Sequence, residues 1–258
     1  MMTKRWKITI EYDGAAFCGW QVQDLEQPSI QGLIEGAIKA FCQKDVRVHV
    51  AGRTDAGVHA FGQIAHFDLA FAEREYNGFE LTKALNAHLR GHAISIIHAE
   101  VVADDFHARF AAKNKLYIYR IVARNPALTV DAGRAWHIFR KLDPDAMQNA
   151  CDVLIGRHDF TTFRARDCQA NSPIRQIDKL HIECRDYDRC GGLDIRINVE
   201  GPAFLRHMIR NISGSLAYVG LGKWSRHDLK NALEAKTRAH GGPTAPPHGL
   251  YLARVDYK

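Results

Sequence analysis

The sequence predicts an α+β protein made of two α/β domains with antiparallel sheets. Three observations lead there. Apolar and polar residues alternate with period two in many short runs along the chain. Runs with helical spacing fall between them. The strands come in groups with helices inserted, which argues against a doubly wound parallel sheet.

In the first half, Trp6, Ile8, Ile10 and Tyr12 alternate with Lys7, Thr9 and Glu11, a strand with one wet face that ends at the Asp13-Gly14 turn. Ser29 is placed as the N-cap of a helix whose stripe is Ile30, Leu33, Ile34, Ala37, Ile38 and Phe41. Val46, Val48 and Val50 read as one face of a second strand, and a glycine-flanked loop over 51–60 follows. A strand over 64–69, a helix over 79–89 and a strand over 93–102 complete this half.

The second half is similar in content. A strand over 116–122 precedes a helix opened by Asp143-Pro144, with Met147, Ala150, Cys151 and Leu154 inward. Runs over 177–184 and 193–199 read as a hairpin joined by the charged, glycine-ended segment 185–192. Helices are expected over 204–218 and 226–236, and a last strand over 250–257. The halves meet near 104–111, giving expected domains 1–104 and 105–258.

Composition narrows the function. A chain of 258 residues, 46% hydrophobic, can bury a sizeable core. Its formal charge of +6 favours an anionic partner. The six cysteines include no CxxC pair, so neither a zinc site nor a redox motif is expected. The first ten residues hold no apolar leader and no run approaches membrane-spanning length, so a cytoplasmic protein with no membrane association is expected.

The segment Gly52-Arg53-Thr54-Asp55-Ala56-Gly57-Val58-His59-Ala60 carries the chemistry. Two glycines let the backbone turn sharply and present polar side chains. A carboxylate beside an arginine is well placed to stay ionised. Local chemistry alone also fits a surface turn, or half of a hydrolase carboxylate pair. Asp104 and Asp105 are adjacent acids, but nothing in the sequence places either opposite Asp55.

Motifs in order along nearly the whole chain resemble the tRNA pseudouridine synthase A family. They are Tyr12-Asp13-Gly14 with Gly19-Trp20-Gln21, the Gly52–Ala60 loop, Phe106–Phe110 with Lys115–Tyr119, Asp159-Phe160 with Phe163-Arg164 and Cys168–Arg175, Phe204–Asn211, and Thr244–Pro247 with Gly249–Leu252. The resemblance implies the pseudouridine synthase fold with a cleft between its domains, a homodimer, and no metal or organic cofactor. It implies isomerisation of uridine to pseudouridine at positions 38, 39 and 40 of the tRNA anticodon stem-loop.

Carried over by motif, Asp55 is the catalytic carboxylate, attacking C1′ or removing the 2′ proton. Tyr117 is the ring beneath the target uracil, although Tyr119 has the same strand parity. Arg210 is the partner of Asp55. Arg53 would fill the space of a flipped base and hold phosphate. Phe163 and Arg164 would line the pocket, and Arg109, Arg175 and Arg206 would join Arg164 in a basic track for tRNA. Two other readings use the same residues: an RNA-binding module without catalysis, and a hydrolase acting through Asp55.

Overall fold

A computed structural model describes residues 3–23, 26–70 and 75–257. Met1 and Met2, part of the stretch read for a leader, lie outside them. The chain divides into two compact units, Met1–Lys113 with Leu252–Lys258, and Asn114–Tyr251. Both are α+β with mainly antiparallel strands.

In the first unit, strand β1 (Lys4–Tyr12) presents Trp6, Ile8, Ile10 and Tyr12 to the core, each at most 2% exposed. Helix α1 (Ile30–Cys42) starts where Ser29 Oγ accepts the Gly32 amide hydrogen at 3.1 Å. Its buried stripe is Ile30, Ile34, Ala37 and Ile38. Strand β2 is only His49–Val50 and forms a hairpin with β3 (His59–Leu69). Helix α2 (Gly78–His88) opens on a capping box of Asn77 and Glu80 and buries Leu81 and Leu85. Strand β4 (Ile94–Val102) lies on one side of β1 and β3 on the other, both antiparallel. Helix α2 packs on β4 and against α1.

In the second unit, β5 (Asn114–Ala123) pairs antiparallel with β10 (Leu193–Gly201), and β10 with β9 (Lys179–Asp186). A short β6 (Trp136–Ile138) runs parallel to β5. Helix α3 (Pro144–Cys151) is capped by Asp143, whose carboxylate accepts from the Ala146 amide. Strands β7 (Gly156–Asp159) and β8 (Ile174–Ile177) form a separate ribbon. The 185–192 connection is a hairpin, with Tyr187 N–H donating to the Gly192 carbonyl at 2.7 Å. Helices α4 (Met208–Gly220) and α5 (Arg226–Glu234) pack on α3, and α4 also on β5. The last strand, β11 (Leu250–Asp256), returns to the first unit and pairs with β3.

Several boundaries differ from the sequence expectation. Residues 44–48 are irregular, so only the end of the expected valine strand is regular. Strand β3 begins at His59, five residues before 64, because its polar residues His59 and Gln63 are buried with partners. Helix α4 begins at Met208 rather than 204, because His207 adopts a left-handed conformation at φ 60° and 204–205 carry no regular structure. Arg206 therefore precedes the helix and does not share a helical face with Arg210. The run 177–184 is broken at Asp178 between β8 and β9. The apolar stretch from Ile212 to Ala217 is fully buried core.

Candidate active site

In the first unit, the 52–60 segment is fixed by backbone bonds on both sides of Asp55. Trp20 N–H donates to the Thr54 carbonyl at 3.1 Å, Gly19 and Asp55 form an isolated antiparallel bridge, and Val58 N–H donates to the Asp55 carbonyl at 3.2 Å. Gly19 sits at φ 108°, and a Cβ there would lie 2.9 Å from the Thr54 carbonyl oxygen. The segment resembling the family's N-terminal signature is thus the brace behind this loop.

Thr54 is the pin. It is 7% exposed, and its hydroxyl shares a 2.8 Å hydrogen bond with the Tyr12 hydroxyl. Gln63, fully buried, donates through Nε2 to the Gly52 carbonyl at 2.8 Å and to Tyr12 Oη at 3.3 Å. His59 Nδ1 accepts from the Gly14 amide at 3.0 Å. Burial pushes the Tyr12 phenol up to about 12, against its hydrogen bonds with Thr54 and Gln63. Burial changes along the segment: Thr54 is buried between the more accessible Arg53 and Asp55. Arg53 is exposed and makes no hydrogen bond or ion pair among the described residues, and Asp55 is half-buried. Arg109 is also exposed, its guanidinium 5.6 Å from the centre of the exposed Phe110 ring.

In the second unit, Lys115, Tyr117 and Tyr119 share the buried face of β5. Parity cannot separate the two tyrosines, but their surroundings differ. Tyr119 is fully buried and donates its hydroxyl hydrogen to the Pro246 carbonyl at 2.8 Å, and burial raises its pKa far above the usual phenol value. That hydroxyl is committed to the fold. Tyr117 is 8% exposed, with Phe204 edge-on at 5.4 Å and 84°.

Arg210 lies in the first turn of α4 and is half-buried. Its Nε donates to the Ala245 carbonyl at 2.7 Å, and the Ala245 amide donates to the Arg210 carbonyl at 3.2 Å. Phe163 is fully buried beside Phe160, and Arg164 after it is half-buried. Ala165 N–H donates to the Arg206 carbonyl at 2.9 Å, tying the 163–165 segment to the turn before α4. Arg206 pairs with Asp167, and Arg175 donates to the carbonyls of Ser172 and Ile174. The second unit therefore gathers Tyr117, Phe204, Phe163, Arg164, Arg206 and Arg210, and the first holds Arg53, Asp55 and Arg109. Among the described residues no group of three or more His, Cys, Asp or Glu could hold a metal ion.

Sequence comparison bears on what these groups do. The family model described as tRNA pseudouridine synthase matches residues 8–111 and 150–258. A protein of Nitrobacter winogradskyi named tRNA pseudouridine synthase A is 50% identical over 254 residues, covering 98% of this chain and 96% of the relative. Proteins of the same name from Rhodopseudomonas palustris strain BisB18 and Afipia carboxidovorans are each 50% identical over 253 residues, covering 98% of this chain and 99% of the relative.

The chain belongs to the tRNA pseudouridine synthase family.

It is therefore an isomerase, since pseudouridine synthases rearrange a nucleoside without adding or removing atoms. The family-matched stretches contain Arg53, Asp55, Arg109, Phe163, Arg164, Arg206 and Arg210, whereas Tyr117 lies between them. Sequence reading found no role for Tyr12, Thr54, Gln63 or the Thr244-Ala245 pair. The motifs drew attention to three of these segments, but a buried polar contact across 42 or 35 residues leaves no periodic trace. Among the described residues no helix is long and apolar enough to cross a membrane.

Proposed function

We propose that this pseudouridine synthase acts on tRNA and isomerises uridine at positions 38, 39 and 40 of the anticodon stem-loop. The reaction breaks the N1–C1′ bond, turns the base and joins C5 to C1′, so it balances without an oxidant, reductant or cofactor. Asp55 supplies the carboxylate that attacks C1′ or removes the 2′ proton. The observation that supports this is the half-buried Asp55 on a loop bonded on both sides, next to the buried and hydrogen-bonded Thr54.

Arg210 serves as the cation of the Asp55 carboxylate. Tyr117 lies beneath the uracil ring, and Arg53, exposed and without a partner among the described residues, takes the space of the extruded base. Arg164 faces the substrate while the buried Phe163 ring backs it. Arg109 and Arg206 contact the RNA backbone, giving affinity that falls with salt. The enzyme works as a cytoplasmic homodimer, which light scattering on the purified protein checks directly.

The test is incubation with unmodified tRNA, without added metal or cofactor, and single-nucleotide mapping of pseudouridine. Product at 38, 39 or 40 is expected from the wild type and none from Asp55→Asn, which keeps the shape and removes the charge. Product only at other positions refutes the regional assignment. Retained tRNA without product favours an RNA-binding module, and released base favours a hydrolase.

A further inference from the structure

We propose that Asn211 and Thr244 are positioning residues that set the guanidinium of Arg210 through the carbonyl of Ala245. The inference rests on the reading of Arg210 as a group that serves the chemistry.

An arginine side chain is long and has many rotamers, so holding it in one costs conformational entropy. Arg210 is held by the two opposed bonds to Ala245 already described. The side-chain bond uses Nε. Ala245, however, belongs to an irregular stretch over 241–246, with no helix or strand to fix its carbonyl. Such a carbonyl directs an arginine only if its own loop is anchored on both sides.

The anchors are present. On the C-terminal side the Pro246 carbonyl accepts from the Tyr119 hydroxyl at 2.8 Å. On the N-terminal side the Thr244 hydroxyl donates to Asn211 Oδ1 at 2.7 Å. Gly242 N–H donates to Ser215 Oγ at 3.1 Å, and that hydroxyl donates to the Asn211 carbonyl at 2.8 Å. Pro243 lies so close to α4 that a Cβ on Gly214 would come within 1.8 Å of its carbonyl oxygen.

Asn211 is the hub. It is fully buried and follows the half-buried Arg210 directly on α4. Its Nδ2 donates to the Phe163 carbonyl at 2.7 Å. Its Oδ1 accepts from Thr244 and, at 3.3 Å, from Arg238, whose Nη2 also donates to Thr244 Oγ1 at 3.0 Å. Only this orientation of the amide satisfies all three neighbours, because Phe163 offers an acceptor and Arg238 a donor. One buried amide thus joins the 163 segment, the 238–245 loop and the helix that carries Arg210. Deleting a link leaves the guanidinium present and charged but free to drift, and a misplacement of about 1 Å can cost roughly 100-fold in rate.

Thr244 gives the cleaner test, since it is exposed and its replacement leaves the core intact. Thr244→Val keeps the shape and loses the hydroxyl, and Thr244→Ser keeps the hydroxyl. Single-turnover conversion of tRNA, tRNA affinity and thermal unfolding are measured for both, alone and in an Arg210→Ala background. Thr244→Val is expected to slow conversion by about 10- to 100-fold, with tRNA affinity changed by less than about 2-fold, and Thr244→Ser to restore most of the rate. With Arg210 gone, Thr244→Val should cost nothing more, because the residue acts through Arg210. Asn211→Asp, which turns the donor facing Phe163 into an acceptor, should show the same rate loss and the same silence in the Arg210→Ala background. A wild-type rate for Thr244→Val, or a serine variant as slow as the valine one, overturns the proposal. So does a full additional loss in the Arg210→Ala background, which leaves the reading of Arg210 standing. An Arg210→Ala enzyme at wild-type speed overturns that reading and the proposal with it.

Discussion

Removing one oxygen atom, in Tyr12→Phe, should separate the stability of the 52–60 loop from its alignment. Tyr12 is 2% exposed and its ring packs 6.3 Å from Trp20, so the phenyl ring of the variant keeps nearly all of the apolar contact. What goes is the 2.8 Å bond to Thr54 and the weak 3.3 Å bond from Gln63. Gln63 keeps its bond to the Gly52 carbonyl. Thr54 loses its hydroxyl partner inside the unit, and a stranded buried hydroxyl costs about 1–3 kcal/mol.

The effect on rate should be larger than that figure suggests. The pinned Thr54 holds the backbone of its neighbour Asp55 in place. Once Thr54 is released, its side chain regains solvent by rotating the 53–55 backbone, and a shift of about 1 Å at the carboxylate costs roughly 100-fold. Single-turnover conversion measures the second effect. Amide exchange at Trp20 and Val58, whose N–H groups bond to Thr54 and Asp55, measures loop opening directly. Thr54→Val should match Tyr12→Phe in rate, and the double variant should be little worse than either, since both delete the same bond. A Tyr12→Phe enzyme with wild-type conversion and unchanged exchange at both amides would refute this account of the loop.

The other predictions concern the remaining groups. Arg53→Ala should slow modification of an intact stem-loop but harm a substrate with an already unstacked target much less, because less unstacking energy must be recovered; equal losses on both substrates would assign Arg53 to the chemical step. Tyr117→Phe should be nearly silent and Tyr117→Leu severe if the ring stacks on the uracil, while failure of both in the chemical step would mean that the hydroxyl moves a proton. His66 should make the first unit sensitive to acid. Its imidazole is held down to about 4, first by burial, then by the charges of His107, His49 and Arg5, with Asp68 opposing. Its folded value lies below the unfolded value of about 6.5, so the unfolded chain takes up the proton first as pH falls. The stability it contributes is complete above about pH 6.5 and is lost between about 6.5 and 4, by at most about 3 kcal/mol. His66→Asn keeps an acceptor near the Ala108 amide and should flatten that part of the stability profile, as read by thermal unfolding between pH 4 and 7.

The sequence by itself determined the parts of this protein that depend on local geometry and on burial of apolar surface. The β1 alternation, the α1 stripe and the caps at Ser29 and Asp143 follow from side-chain period and from local hydrogen bonds. The 52–60 segment stood out too, because glycines around an Arg-Thr-Asp run let the backbone turn and present polar side chains in a short span. Tertiary structure alone decided what became of buried polar residues. His59 and Gln63 interrupt the apolar pattern of β3, so the strand reads as starting late, yet both lie inside with partners from residues 14, 12 and 52. Tyr117 and Tyr119 are alike in parity and chemistry. Only the Pro246 carbonyl, 127 residues along the chain, reserves the Tyr119 hydroxyl for the fold. The start of α4 was misplaced for a related reason, since 204–207 could continue a helix and instead turn through the left-handed His207. A polar side chain looks like surface until the distant group that satisfies it is known, and no period in the sequence encodes that group.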